Sequence, residues 1–306
     1  MSNKIKKINL LHSFIFFFFA NIFCFSMFKF NLIVPSILCF LLVLIVGVSH
    51  GSLDHLKGKK LLKLFNIKST YIFYITYIFI SAVVVVTWIL LPSITLIVFL
   101  IIASYHFGKE DTHFLINNRS YFTQLLYFFK GFLIILAPLT FHFQETIAIF
   151  KLLLIDNEVF YSTLDFIEKN NIIQKGIVFS FLSSVILLLK NFEKKKFLIF
   201  FDYFSILTLN LYLTPLIAFT IYFCFLHSIR HSISLAIELD PDSLVNGFRL
   251  FVKKALALTI LTAVFSFIAL YLLSYSNNLD GAILKIIFIG LASLTFPHIL
   301  LEYFLE

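Results

Sequence analysis

Apolar runs of 18 or more residues recur along this chain, each long enough to cross a hydrocarbon core of roughly 30 Å. A backbone in lipid must satisfy its own hydrogen bonds, so such runs become helices. Composition agrees, with 60% hydrophobic residues, 13% charged residues and a mean hydropathy of +1.00. Soluble Rossmann, TIM-barrel and sandwich folds are excluded, and the fold class is all-α, a polytopic transmembrane bundle. The net charge of +8 reads as loop lysines on the cytoplasmic side, not as a nucleic-acid footprint. Cys24, Cys39 and Cys224 sit inside apolar runs with no CxxC pair, which argues against a disulfide framework or a thiolate metal site.

Lys4, Lys6 and Lys7 precede an apolar run at residues 10–28. A basic start before an apolar core is the pattern of a secretory signal, but no small-x-small cleavage site follows Ala20 and a second run begins at once. The stretch therefore reads as a first spanning helix. Further spans are expected at residues 32–49 and 71–91, after the Pro92 turn to a close at Ala103 through Asp111, at 121–141, 172–189 and 197–213, from the Pro215 turn to His231, and at 255–275, with a last one reaching Pro297 and His298. The mixed segment 142–171 allows at most a short interfacial helix. Lys and Arg gather at the N-terminus and near 51–69, 109–120, 191–196 and 234–254, whereas 142–171 is net acidic. About ten helices, with both termini cytoplasmic, satisfy the positive-inside rule. The whole chain, 1–306, reads as a single integral-membrane domain.

Titratable groups inside membrane helices are costly and by default mark function. In Phe225-Leu226-His227-Ser228-Ile229-Arg230-His231, two imidazoles stand at i and i+4, on one helical face and able to reach one ion. The expected topology runs helices two, four, eight and ten from outside to inside. Their inner ends carry His50, His106, the pair His227 and His231, and His298, which places these histidines at one depth. A lone membrane histidine often serves helix packing, so the weight rests on spacing and shared depth. Asp54, four residues after His50, can accept the second N–H of a ligating imidazole, or else is a solvated loop carboxylate. His55 is about 140° round a helix from His50 and a poorer co-ligand. His113 is expected in water, His12 and His142 are bystanders, and Arg230 is expected to face cytoplasmic headgroups.

Imidazole suits Zn, Cu, Fe and Ni, so ligand type leaves the metal open. Closed structural zinc sites are usually thiolate-rich, whereas four histidines on octahedral Fe(II) leave two positions for oxygen and a substrate or water. The apolar, aromatic surroundings suit a lipid-soluble substrate and favour oxidation over peptide or phosphate chemistry.

Four blocks occur in order over most of the chain: Gly47-Val48-Ser49-His50-Gly51-Ser52-Leu53-Asp54, Tyr105-His106-Phe107-Gly108, Tyr222 through His231, and Phe296-Pro297-His298-Ile299-Leu300. Together they resemble the signature blocks of the Brp/Blh family of membrane β-carotene 15,15′-dioxygenases. The resemblance implies Fe(2+) held by His50, His106, His227 and His231. It implies β-carotene and O2 as substrates, two molecules of all-trans-retinal as products, and a retinal-binding rhodopsin as a candidate acceptor. It does not imply a ligand role for His298, which is expected beside the ligands or along the substrate path. Asp54 and Tyr105 are candidates for orienting ligands or oxygen. The expected location is the cell membrane, multi-pass, with the iron site toward the cytoplasm and no nucleic-acid partner. The family-like region covers about 32–303, and the first helix, about 1–30, reads as an addition. Ser49 stands where the family usually has Pro.

Two other classes compete. Membrane di-iron hydroxylases and desaturases need more histidines in HxxHH clusters, and this chain has one HxxxH and no HxxHH. A non-catalytic carotenoid-binding or transport protein is the other; a transport path should reach both membrane faces, and these histidines gather at one.

Overall fold

The computed structural model describes residues 2–30, 32–49, 51–116 and 120–305. Among them every regular element is helical, and nine helices are long and apolar enough to cross a membrane. Helix α1 spans Ser2–Phe30. Pro35, extended at φ −70° and ψ 144°, delays the next helix to Ser36. This α2 (Ser36–Leu42) runs on as a π-helical turn, Val43–Gly47. The lysine-rich stretch that follows is helical, α3 (Asp54–Leu64). α4 (Tyr71–Leu90) and α5 (Pro92–Glu110) meet at Leu91. Pro92 opens α5, where its missing N–H leaves no helical bond unmade.

Ser120 caps α6 (Tyr121–Phe141), its hydroxyl accepting from the Thr123 N–H at 3.3 Å. The acidic segment forms two helices, α7 (Phe143–Leu152) and α8 (Glu158–Lys169). α8 buries no residue. α9 is Ile172–Leu189. The expected span at 197–213 is the 16-residue α10 (Phe197–Tyr212), which is why nine helices reach spanning length and not ten. α11 (Pro215–Ile221) passes through a second π-helical stretch, Tyr222–Ser228, into α12 (Ile229–Leu239). α13 (Leu244–Ser274) begins well before residue 255 because Ser243 caps it. α14 (Leu279–Leu305) continues through Pro297; neighbouring helices make an internal proline tolerable in a membrane bundle.

The close crossing of α5 and α6 is built on glycine. A Cβ on Gly108 of α5 would lie 1.8 Å from the Tyr127 carbonyl oxygen of α6, and one on Gly131 of α6 would lie 1.9 Å from the Ser104 oxygen. Small residues let two membrane helices bring their backbones into contact. α1 packs along α10, and the main core gathers Phe16, Phe40, Ala103, Leu209 and Ile283 from five elements. Ile75 and Phe79 on α4, with Phe265 and Leu272 on α13, point outward, as lipid-facing side chains do. The two π-helical stretches touch, the Ser228 hydroxyl donating to the Gly47 carbonyl at 3.3 Å. Around this contact the ends of α3, α5, α12 and α14 converge.

Candidate metal centre

Four histidines from three helical segments meet here. His106 lies near the end of α5, His227 in the second π-helical stretch, His231 at the start of α12 and His298 on α14, and all four are buried. Ring centroids are 5.5 Å apart for His106 and His227, 5.4 Å for His106 and His298, and 5.8 Å for His231 and His298. His50 lies outside the described residues.

Carboxylates fix three of the rings. The Nδ1–H of His227 donates to Asp111 Oδ1 at 3.2 Å, and that of His231 to Glu110 Oε2 at 3.2 Å. His298 Nδ1 is 2.9 Å from both oxygens of Asp54. With Nδ1 engaged outward, Nε2 is the nitrogen each ring offers inward. Carboxylates on the far nitrogen of a ligating imidazole fix its tautomer and orientation. Glu302, one turn beyond His298, reaches the same place: Oε1 is 3.5 Å from His298 Nε2 and 3.9 Å from His231 Nε2. Its Oε2 is 3.9 Å from His106 Nδ1, and Lys57 donates to Oε1 at 2.6 Å. Ligand atoms of His106, His298 and Glu302 lie within 4.8 Å of one another, as do those of Glu110, His231 and Glu302.

Two of these carboxylates are themselves held. Tyr222 donates to Asp111 Oδ2 at 2.8 Å, and Tyr77 donates to Asp54 Oδ2 at 2.9 Å. Arg230 departs from expectation. It is 1% exposed, not at the headgroups, and forms a two-pronged pair with Asp202 at 2.7 and 2.9 Å. It also donates to Ser13 Oγ at 2.6 Å and to the Asp111 carbonyl at 3.2 Å. A guanidinium this deep needs a matched anion; Asp202 of α10 provides it, and α1 contributes Ser13.

The remaining sequence candidates fall as follows. Asp54 is buried and faces the His298 ring; its expected partner, His50, lies outside the described residues. The Tyr105 hydroxyl donates to Gln124 of α6 at 2.5 Å. His55 Nδ1 lies 2.9 Å from the Ser52 carbonyl, and the side chain of His113 is 47% exposed. His12 Nε2 is 2.9 Å from the Phe225 carbonyl, and His142 sits 3.6 Å from Glu145. Ser49, at the position of the usual Pro, donates its hydroxyl to the Val46 carbonyl at 2.9 Å. Glu110, Asp111, Glu302, Lys57 and Tyr77 join the site without being among the sequence candidates. For two of them a signal exists, since Glu110 follows His106 by four residues and Glu302 follows His298 by four.

The cluster separates two kinds of space. An apolar cavity of 240 Å³ touches His106, His227 and His298 and is walled by Phe73 and Tyr77 of α4, Leu258 of α13 and Leu291 of α14. On the other side a polar cavity of 300 Å³ holds Lys57, Lys60, Glu110, His231, Glu238 and Glu302. A smaller apolar cavity of 100 Å³ lies beyond Phe107, Phe223, Leu291 and Thr295, which also line the first. Phe107 meets His227 edge-on at 4.7 Å, and Phe223 stacks on it at 5.9 Å.

Inward imidazole nitrogens braced by outer carboxylates, with a further carboxylate beside them, suit a divalent transition metal. Histidine and carboxylate oxygen are common iron ligands, so these donors fit Fe(2+). Fold and site together define a polytopic membrane protein with a buried histidine–carboxylate centre opening onto apolar space. Residues 41–306 match the family described as Beta-carotene 15,15′-dioxygenase, and the chain belongs to that family. A relative from uncultured marine bacterium 66A03, itself named Beta-carotene 15,15′-dioxygenase, is 25% identical over 275 residues, covering 86% of this chain and 91% of its own. No solved structure matches the chain.

Proposed function

We propose that this chain cleaves the central 15,15′ double bond of β-carotene with O2. Each carbon of that bond takes one oxygen atom, giving two molecules of all-trans-retinal. The observation that carries this reading is the opening of a buried histidine–carboxylate cluster onto an apolar cavity, at His106, His227 and His298, in a member of this family. Fe(2+) is the proposed cofactor, with His50, His106, His227 and His231 as ligands, and it supplies oxygen chemistry that side chains lack. Asp111 and Glu110 hold the His227 and His231 rings in register. Phe107 and Phe223 keep the polyene side dry, while the Lys57 and Glu302 side is open to water and ions. The site is proposed to face the cytoplasm from the cell membrane, drawing β-carotene from the bilayer. Retinal released there is available to a retinal-binding rhodopsin.

Expression in bacteria that accumulate β-carotene tests the reading. Wild type should bleach the orange colour and yield retinal, and His231→Ala should leave the cells orange. Unbleached cells with verified membrane insertion of the wild type would overturn the function. One observation favours a second reading: Glu302 belongs to both sets of clustered ligand atoms, as a carboxylate shared by two metals would. One iron per purified chain supports the first reading; two support a dinuclear centre of the hydroxylase kind.

A further inference from the structure

We propose that His298 is itself a metal ligand, and that Asp54 is the residue positioning it. This rests on the metal-centre reading above and goes beyond the four-histidine set. The ring is buried and its Nδ1 faces Asp54 at 2.9 Å to each oxygen. A carboxylate gripping Nδ1 through both oxygens leaves Nε2 as the nitrogen directed inward. Nε2 is 3.5 Å from Glu302 Oε1, and the ring stands edge to face with both His106 and His231.

The arrangement repeats what is seen at the two histidines of the π-helical segment and α12. His227 has Asp111 on its Nδ1 and His231 has Glu110, each at 3.2 Å. His298 has the shorter contacts, and Tyr77 fixes its carboxylate by donating to Asp54 Oδ2. Three imidazoles from two helical segments thus share one construction, with carboxylate outside and Nε2 inside. A ring placed only to line a substrate path needs no such bracing. The competing explanation is an imidazolium held between Asp54 and Glu302 as an ion pair, and the two differ in what a metal would sense.

Full-length protein in detergent, stripped of metal and titrated with Co(II), separates them. His298→Cys should add an intense near-ultraviolet thiolate-to-cobalt charge-transfer band that the wild type lacks, since a coordinated thiol is deprotonated outright. Asp54→Asn should bind Co(II) about 10- to 100-fold more weakly, as expected when an outer partner of a ligating histidine is lost, and His298→Gln, which removes the ligand itself, should bind at least as weakly. Wild-type Co(II) affinity in His298→Gln would overturn the assignment. So would the absence of the band in His298→Cys, even where affinity falls. If wild type binds no Co(II), both this inference and the metal centre fail. Co(II) binding by the wild type and the new band in His298→Cys, with no carotene cleavage by the wild type, would count only against the proposed function.

Discussion

Asp111 is held from three directions: Tyr222 donates to one carboxylate oxygen, His227 to the other, and Arg230 to its main-chain carbonyl. Its neighbour Glu110 faces His231, so two consecutive residues at the end of α5 brace two histidines a turn apart. Asp111→Asn and Glu110→Gln should each weaken metal binding by about 10- to 100-fold without unfolding the bundle. Metal retained after dialysis against graded chelator would show it, and unchanged retention in both variants would refute the bracing role. Part of this was readable beforehand. The i, i+4 spacing that selects His227 with His231 and His50 with Asp54 also pairs His106 with Glu110 and His298 with Glu302. Asp111 carries no such mark, because its bond to His227 spans 116 positions of sequence. Arg230 misleads for a related reason: a lone arginine at a helix end suggests headgroups until Asp202, 28 positions away, supplies a buried anion.

Hydropathy locates α4, α6 and α9 within a residue or so, because continuous apolar runs bounded by polar loops leave little room for error. It does not show the π-helical stretches at Val43–Gly47 and Tyr222–Ser228. A π turn inserts a residue without altering apolar content, so the profile is blind to it, and such turns gather at functional sites. Here one runs into the His50 block at Gly47 and the other contains His227. The close contact of α5 and α6 is likewise an element-level device that aligns His106. Gly131→Ala would drive a methyl into the Ser104 carbonyl. The helices would have to separate, at a cost of about 1–3 kcal/mol or more. A lowered melting temperature in detergent is expected, with reduced metal content; wild-type values of both would show that the crossing can relax.

The bundle as assembled puts metal-type donors on the boundary between an apolar and a polar cavity. Leu258 of α13 walls the apolar side. Leu258→Trp should therefore fill part of the 240 Å³ cavity, cutting carotene cleavage several-fold while metal content stays at the wild-type level. Equal loss of both would show that α13 supports the centre and not the substrate. The first helix also gains a role. It lies outside the matched residues 41–306, yet Ser13 accepts from Arg230 and His12 meets the Phe225 carbonyl, so it braces the segment that carries His227 and His231. Apolar run length fixes the class of this protein, because lipid admits few other folds for such a chain, and the histidine blocks point to its chemistry. Which carboxylate serves which histidine is different. His298 takes Asp54, His227 takes Asp111 and His231 takes Glu110 because helix packing brings those pairs within bonding distance, and no local pattern encodes a contact made across 244 positions.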